Sequence, residues 1–175
     1  MTIPLWLPGR APYVSDGDPD SFERLLYEVY LDAFVRNETR WRGNKVIVRR
    51  EPLDARGRHW SFAHLTTVGK EPRRKLDIPR AERLPWVKAV LEATAPEVIT
   101  WTQARAGHHL AVALPDFSYL VVIDPMKRNG AFLVTAYPIH KPSERKELAQ
   151  DYRRAGELVA PLPPAAAPSA AAEVD

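Results

Sequence analysis

The groups able to do chemistry in this chain are histidine, arginine and hydroxyl side chains. His64 stands in the string HLTT, with Thr66 and Thr67 directly after it. A basic run follows, Lys70, Arg73, Arg74 and Lys75, and then Arg80 and Arg83. Thr135 and Tyr137 lie further on, two residues apart, just after the cations Lys127 and Arg128. On a strand, Thr135 and Tyr137 project from one face, which Leu133 would share while Val134 and Ala136 face the other way. These residue types suit metal-free cleavage of a phosphodiester. RNA brings its own nucleophile, the 2′-hydroxyl. The protein must then supply a base for that proton, an acid for the departing 5′-oxygen, and donors for the phosphorane oxygens. Histidine exchanges protons near neutral pH. Arginine holds phosphate at two points, and Thr and Tyr add neutral hydrogen bonds. Each group also has a plainer reading: a satisfied histidine at the rim of the core, a solvated basic loop, two hydroxyls on a half-buried strand.

Other chemistries lack their residues. There is no cysteine, so disulfides, thiolate metal sites and a cysteine nucleophile are excluded. No GxxxxGK[ST], GxGxxG or GxSxG string occurs. His108 and His109 are adjacent, so on a strand they point to opposite faces and would not readily share one ion. No metal and no cofactor is expected. The 175 residues carry 25 Lys and Arg against 22 Asp and Glu, a net +3. All the cations precede Gly156, while Glu157, Glu173 and Asp175 lie beyond it. A body this basic suits a polyanion such as RNA. No apolar run approaches the length of a membrane span, and the opening MTIPLWLPGR is unlike a secretory leader, so a cytoplasmic protein without a membrane partner is expected.

The elements that must position these groups read as follows. Residues 1–17 form an extended arm whose Trp6 and Tyr13 dock on a partner, on a second copy or on the chain's own core. Residues 18–156 form one domain, and the Ala- and Pro-rich residues 157–175 a disordered tail. Phe22, Leu25, Leu26, Val29, Ala33 and Phe34 fall at helical spacing over 20–36, after capping by Asp18 or Asp20. KVIVRR (45–50) and HWSFAHLTT (59–67) read as two strands of a hairpin around the turn DARGR. The second alternates, with Trp60, Phe62 and His64 on one face. A basic loop, 69–79, leads to a helix over 80–94, which Pro85 must open or split. Strands follow at 97–104, 108–114, 117–123 and 131–138, then a helix over 143–155. Helices followed by consecutive strands indicate an α+β fold: amino-terminal helices on an antiparallel sheet of about four to six strands, and a carboxy-terminal helix.

SFAHLTT, RAERLPWV and FLVTAYPIHKPSERKEL together resemble phage- and prophage-type ribonucleases of the BECR superfamily, which groups barnase, EndoU, colicin and RelE-like nucleases. The likeness spans roughly Trp41 to Arg153. It implies a metal-independent endoribonuclease, toxin-like or phage-related, that leaves a 2′,3′-cyclic phosphate. His64 then matches the family histidine, Arg83 the arginine of the ER segment, and Thr135-Ala136-Tyr137 the Ser/Thr-x-Tyr motif. Thr66, Thr67, Arg73, Arg74, Arg80, Lys127 and Arg128 would bind substrate. EndoU-type members use a second histidine; His109 and His140 are the loose nominees here. RNA is the implied substrate, and an antitoxin or immunity-type protein the implied partner. The alternative is a catalytically inactive RNA-binding or protein-interaction domain of the same fold, with Trp41, Trp60, Trp86 and Trp101 stacking bases.

Overall fold

A computed structural model of the chain describes residues 3–13, 18–70, 73–103, 109–126 and 130–156. His108, Lys127, Arg128 and the tail from residue 157 lie outside the described residues.

Helix α1 covers Pro19–Leu31. Asp18 caps it by accepting from the Asp20 amide, and Pro19 occupies the first turn, where a missing N–H costs nothing. Phe22, Leu26 and Tyr30 form its buried stripe. The chain then widens into a π-helical turn over Asp32–Arg36, closed by the Asn37 amide on the Asp32 carbonyl. Strands β1 (Arg40–Trp41) and β2 (Asn44–Ile47) make a tight antiparallel hairpin. Its turn places Arg42 and Gly43 at φ 47° and 81°, the left-handed region that glycine enters without strain.

Residues 59–67 do not form the second strand of a hairpin with 45–50. Trp60–Thr66 is helix α2. The alternation of Trp60, Phe62 and His64 competes with a helical spacing, Phe62 to Leu65, and the core selects the latter: both residues are buried in it. The first N–H groups of α2 are not left orphaned. The amides of Trp60 and Ser61 donate to the carbonyls of Arg50 and Arg49, and Ser61 Oγ accepts from the Arg49 amide at 2.8 Å. A two-residue ribbon, β3 (Thr67–Val68) with β4 (Lys75–Leu76), brackets the basic loop. The helix expected over 80–94 is split. Helix α3 is Ile78–Ala81, capped by Asp77, and α4 is Leu84–Glu92 with Pro85 in its first turn.

Strands β5 (Ile99–Thr102), β6 (Leu110–Ala113), β7 (Tyr119–Met126) and β8 (Gly130–Pro138) form the expected antiparallel meander. Helix α5 (Pro142–Ala155) closes the described chain. The architecture is α+β, with one mixed sheet ordered β1-β2-β8-β7-β6-β5. Among the described residues its one parallel pair is β2 with β8, where Ile47 stands opposite Phe132. One sheet face, including Val46, Val112, Val121 and Leu133, packs beneath the helices before β5. The other carries Trp101, Leu120, Val122 and Ile139, against which Leu148 and Tyr152 of α5 rest.

The amino-terminal arm packs on its own core. Leu7 and Ala11 are buried, the Ala11 amide donates to the Glu82 carbonyl, and Trp86 Nε1 donates to the Pro8 carbonyl.

Candidate active site

His64 lies in the last turn of α2, where the carbonyl and the indole of Trp60 both contact its imidazole. Its Nδ1 is 3.3 Å from the Trp60 carbonyl oxygen, one turn earlier. A carbonyl only accepts, so in the tautomer that makes this bond Nδ1 carries the proton and Nε2 the lone pair. The imidazole stacks on the Trp60 indole, with centroids 3.5 Å apart and planes 20° apart. Arg49 lies over the same indole, its guanidinium carbon 4.7 Å from the ring centroid. Histidine, tryptophan and arginine thus form a three-layer stack on one wall of the site.

Arg74 approaches His64 Nε2 to 3.5 Å, at the outer limit of a hydrogen bond. Its own position is fixed by Nε on Thr67 Oγ1 at 2.7 Å, Nη1 on the Gly69 carbonyl and Nη2 on the Thr67 carbonyl. Thr67 caps the end of α2, and its hydroxyl donates back to the Ala63 carbonyl. Arg80, from α3, donates through Nη1 to the carbonyls of His64 and Thr67 at 3.1 and 3.0 Å. Its guanidinium also lies over the Tyr137 ring, 5.2 Å from the centroid. A chain of contacts therefore runs from Trp60 through His64 and Arg80 to Tyr137, from α2 to the last strand.

Thr135 and Tyr137 share a face, as their spacing requires. Thr135 stands opposite Val122 and Tyr137 opposite Leu120, both in the apolar cluster under α5. Leu133 does not share that face. The ladder slips at Val122/Ile123, so that Leu133 pairs with Ile123 and turns to the opposite core, while Val134 joins the α5 side. A β-bulge re-aims side chains in this way. Tyr137 also lines a cavity of about 310 Å³ with Glu144, Glu147, Leu148 and Asp151. Burial raises the Tyr137 phenol above its usual range and Arg80 partly opposes that, so the group remains an O–H donor at neutral pH.

Several residues chosen from the sequence lie elsewhere. Arg83 is 7% exposed. Its guanidinium donates to the Pro79 carbonyl and lies over Trp86, and its carbonyl accepts from Tyr119 Oη. Burial, and then Arg10, lower its pKa. Arg83 thus braces the α3–α4 junction against the arm, and Arg80, one turn earlier, stands beside His64. Thr66 is fully buried, its hydroxyl returned to the Phe62 carbonyl. Arg73 is exposed on the loop between β3 and β4. His140 is exposed beyond β8, and His109 precedes β6. Trp41, Trp86 and Trp101 belong to the core and offer no face to a base. Trp60 is half-buried, with both ring faces occupied. Among the candidates read from the sequence, Trp60 figures only as a base-stacking residue and Arg49 does not figure. The signal for Trp60 was its place four residues before His64, which matters only once that segment is read as helix.

No group of three or more metal-ligating side chains occurs among the described residues, and no described helix is long and apolar enough to cross a membrane. No family model, no curated protein and no solved structure matches the chain.

Proposed function

We propose that the protein is a metal-independent endoribonuclease. The observation that carries this reading is the chain of contacts that links Arg74, His64, Arg80 and Tyr137, drawn from the β3–β4 loop, helix α2, helix α3 and strand β8. With Nδ1 committed to the Trp60 carbonyl, Nε2 is the basic nitrogen, and its contact with Arg74 is long enough for a substrate hydroxyl to displace. In the proposed reaction Nε2 takes the 2′-hydroxyl proton. The 2′-oxygen bonds to phosphorus, the bond from phosphorus to the 5′-oxygen breaks, the 5′-oxygen takes a proton from solvent water as it leaves, and His64 returns its proton to the hydroxide so formed. The products are a 2′,3′-cyclic phosphate and a 5′-hydroxyl. Arg74 offsets charge on the phosphorane, and the protonated Tyr137 phenol hydrogen-bonds to the phosphate or the departing oxygen. A toxin-like role, with an acidic partner covering the basic site, belongs to the same reading.

The test is incubation of purified protein with total RNA and tRNA in EDTA. Fragments ending in 2′,3′-cyclic phosphate are expected, with loss of about 10²–10⁴ in rate for His64→Ala. RNA left intact at every enzyme concentration, by a folded protein, removes the reading.

A further inference from the structure

We propose that Arg80 is the seat of a phosphate-type oxyanion, bound through the Nε–Nη2 edge of its guanidinium. The proposal deepens the ribonuclease reading, and rests on it only for the natural ligand, a backbone phosphate of RNA.

Arg80 combines unspent donors with a half-buried charge that has no ion pair among the described residues. Arg80 is half-buried, and burial lowers the pKa of its guanidinium below the usual arginine value. Buried guanidinium groups ordinarily face a carboxylate. Arg80 has no ion pair among the described residues. Asp77, the carboxylate whose charge acts on Arg80, directs its side chain to the Arg80 backbone amide as the cap of α3. The charge is met instead by two carbonyl oxygens, both on Nη1, and by the face of the Tyr137 ring. Nε is buried with no hydrogen-bond partner, and Nη2 makes no hydrogen bond among the described residues. A buried N–H left unmade is costly, so native proteins rarely keep one without a purpose. Nε and Nη2 are parallel donors on one edge of the guanidinium, the geometry that grips two oxygens of a phosphate.

The surroundings agree with that ligand. The two carbonyls on Nη1 fix the plane of the guanidinium, so its free edge is pre-oriented. Arg74 brings a second positive charge within reach of the same site. His64, whose carbonyl anchors Arg80, has its imidazole beside Arg74, so an anion on Arg80 lies next to the proposed base. Nε is below the surface, so the anion meets Nη2 first and gains Nε as the side chains above it part.

The experiment follows the Nε–H resonance of Arg80 in ¹⁵N-labelled full-length protein during titration with inorganic phosphate. A saturable shift is expected. Arg80→Lys keeps the charge and loses the fork, so affinity should fall by about tenfold or more. Lys146→Gln, which removes one exposed α5 cation, should stay within about twofold. No movement of the Arg80 resonance at high phosphate overturns the proposal without recourse to any variant, and so does equal affinity in wild type and Arg80→Lys. A 2′-O-methyl RNA oligonucleotide, which lacks the nucleophile, distinguishes the ligand sources. Competition with phosphate supports an RNA backbone phosphate at Arg80, and phosphate binding without competition supports a free phosphate group there. RNA cleavage by the same wild-type preparation separates this proposal from the ribonuclease reading. Phosphate bound with RNA intact keeps the site and removes the nuclease, and RNA cut with a silent Arg80 resonance does the reverse.

Discussion

Trp60→Ala tests whether His64 is held by its neighbours or merely lies beside them. The indole touches imidazole on one face and the Arg49 guanidinium on the other. An aromatic pair is worth about 0.5–1.5 kcal/mol beyond the area it buries. A cation over an accessible ring adds about 0.5–1 kcal/mol. Truncating a fully buried tryptophan costs about 3–5 kcal/mol, and Trp60 is only half-buried, so about half of that is the larger bound. Alanine also favours the helix over tryptophan by a few tenths of a kcal/mol, which offsets part of the loss. The net expectation is a destabilisation of about 2 kcal/mol in urea unfolding followed by circular dichroism. About 1 kcal/mol of it should appear as coupling in the Trp60→Ala/His64→Ala double-mutant cycle. The bond from Nδ1 to the residue 60 carbonyl survives the substitution, so only one of two restraints on the imidazole is removed. Turnover should therefore drop by about tenfold with KM nearly unchanged, the pattern of a lost transition-state alignment. Coupling below about 0.3 kcal/mol would refute the claim that the stack holds the imidazole.

Other outcomes follow from particular contacts. Trp101→Phe removes the bond from Nε1 to Asp151 Oδ2 (2.9 Å) and should cost about 1 kcal/mol in urea unfolding. Because α5 has no fully buried residue, its amides should exchange before those of β6 and β7 in native-state hydrogen exchange, and Trp101→Phe should widen that gap. Gly130→Ala places a methyl 2.9 Å from Ile47 Cδ1, the far end of a flexible and partly exposed side chain. That side chain can swing aside, so unfolding should shift by no more than about 0.5–1 kcal/mol. Burial, and then Arg50, hold the His59 imidazole below its ordinary 6.5. The folded state therefore favours neutral His59, and its contribution is present above about pH 6.5 and lost as pH falls toward the lowered value. The urea midpoint should fall more between about pH 7.5 and about pH 5.5 in wild type than in His59→Gln, and equal falls would count against the assignment.

What the sequence could reveal was whatever a local period encodes. Helices α1 and α5 and strands β5 to β8 each carry a clear pattern and suitable punctuation, and they stand within a few residues of their expected places. The α2 segment carries two patterns at once. Trp60, Phe62 and His64 alternate, yet Phe62 and Leu65 sit at helical spacing, and only the core into which both fit decides between them. The parallel pairing of β2 with β8 joins strands more than eighty residues apart, and neither strand's composition announces it. The bulge at Val134 is equally silent, although it turns Leu133 away from Thr135. At the site, His64, Arg74, Arg80 and Tyr137 were legible by type. The choice between Arg80 and Arg83 was not, because it depends on which side of the α3–α4 break each faces. Arg83 begins α4 and turns to Trp86, while Arg80 ends α3 and turns to His64 and Tyr137.

The shape of the sheet accounts for where this cluster forms. Strand β2 pairs with β8 only from Gly130 to Phe132 and ends at Ile47, opposite Phe132. Strand β8 continues to Pro138, so its later half has β7 on one side and, among the described residues, no strand on the other. An open edge inside a domain needs cover. Helices α2 and α3 supply it, packing against β8. The residues that cover the edge are by that fact next to the residues that the edge carries, which brings Arg80, anchored on the His64 carbonyl, to Tyr137. A longer β2 would occupy the same edge with backbone hydrogen bonds and displace both helices. The early end of β2 is thus what lets a helix-borne guanidinium meet a strand-borne phenol. Lengthening β2 past Ile47 should abolish the Arg80–Tyr137 contact while leaving the β5–β8 meander folded. Loss of a Tyr137 ring shift in Arg80→Lys, measured in each background by NMR, would report it. An Arg80-dependent Tyr137 shift that persists in the lengthened chain would sink this account of the site.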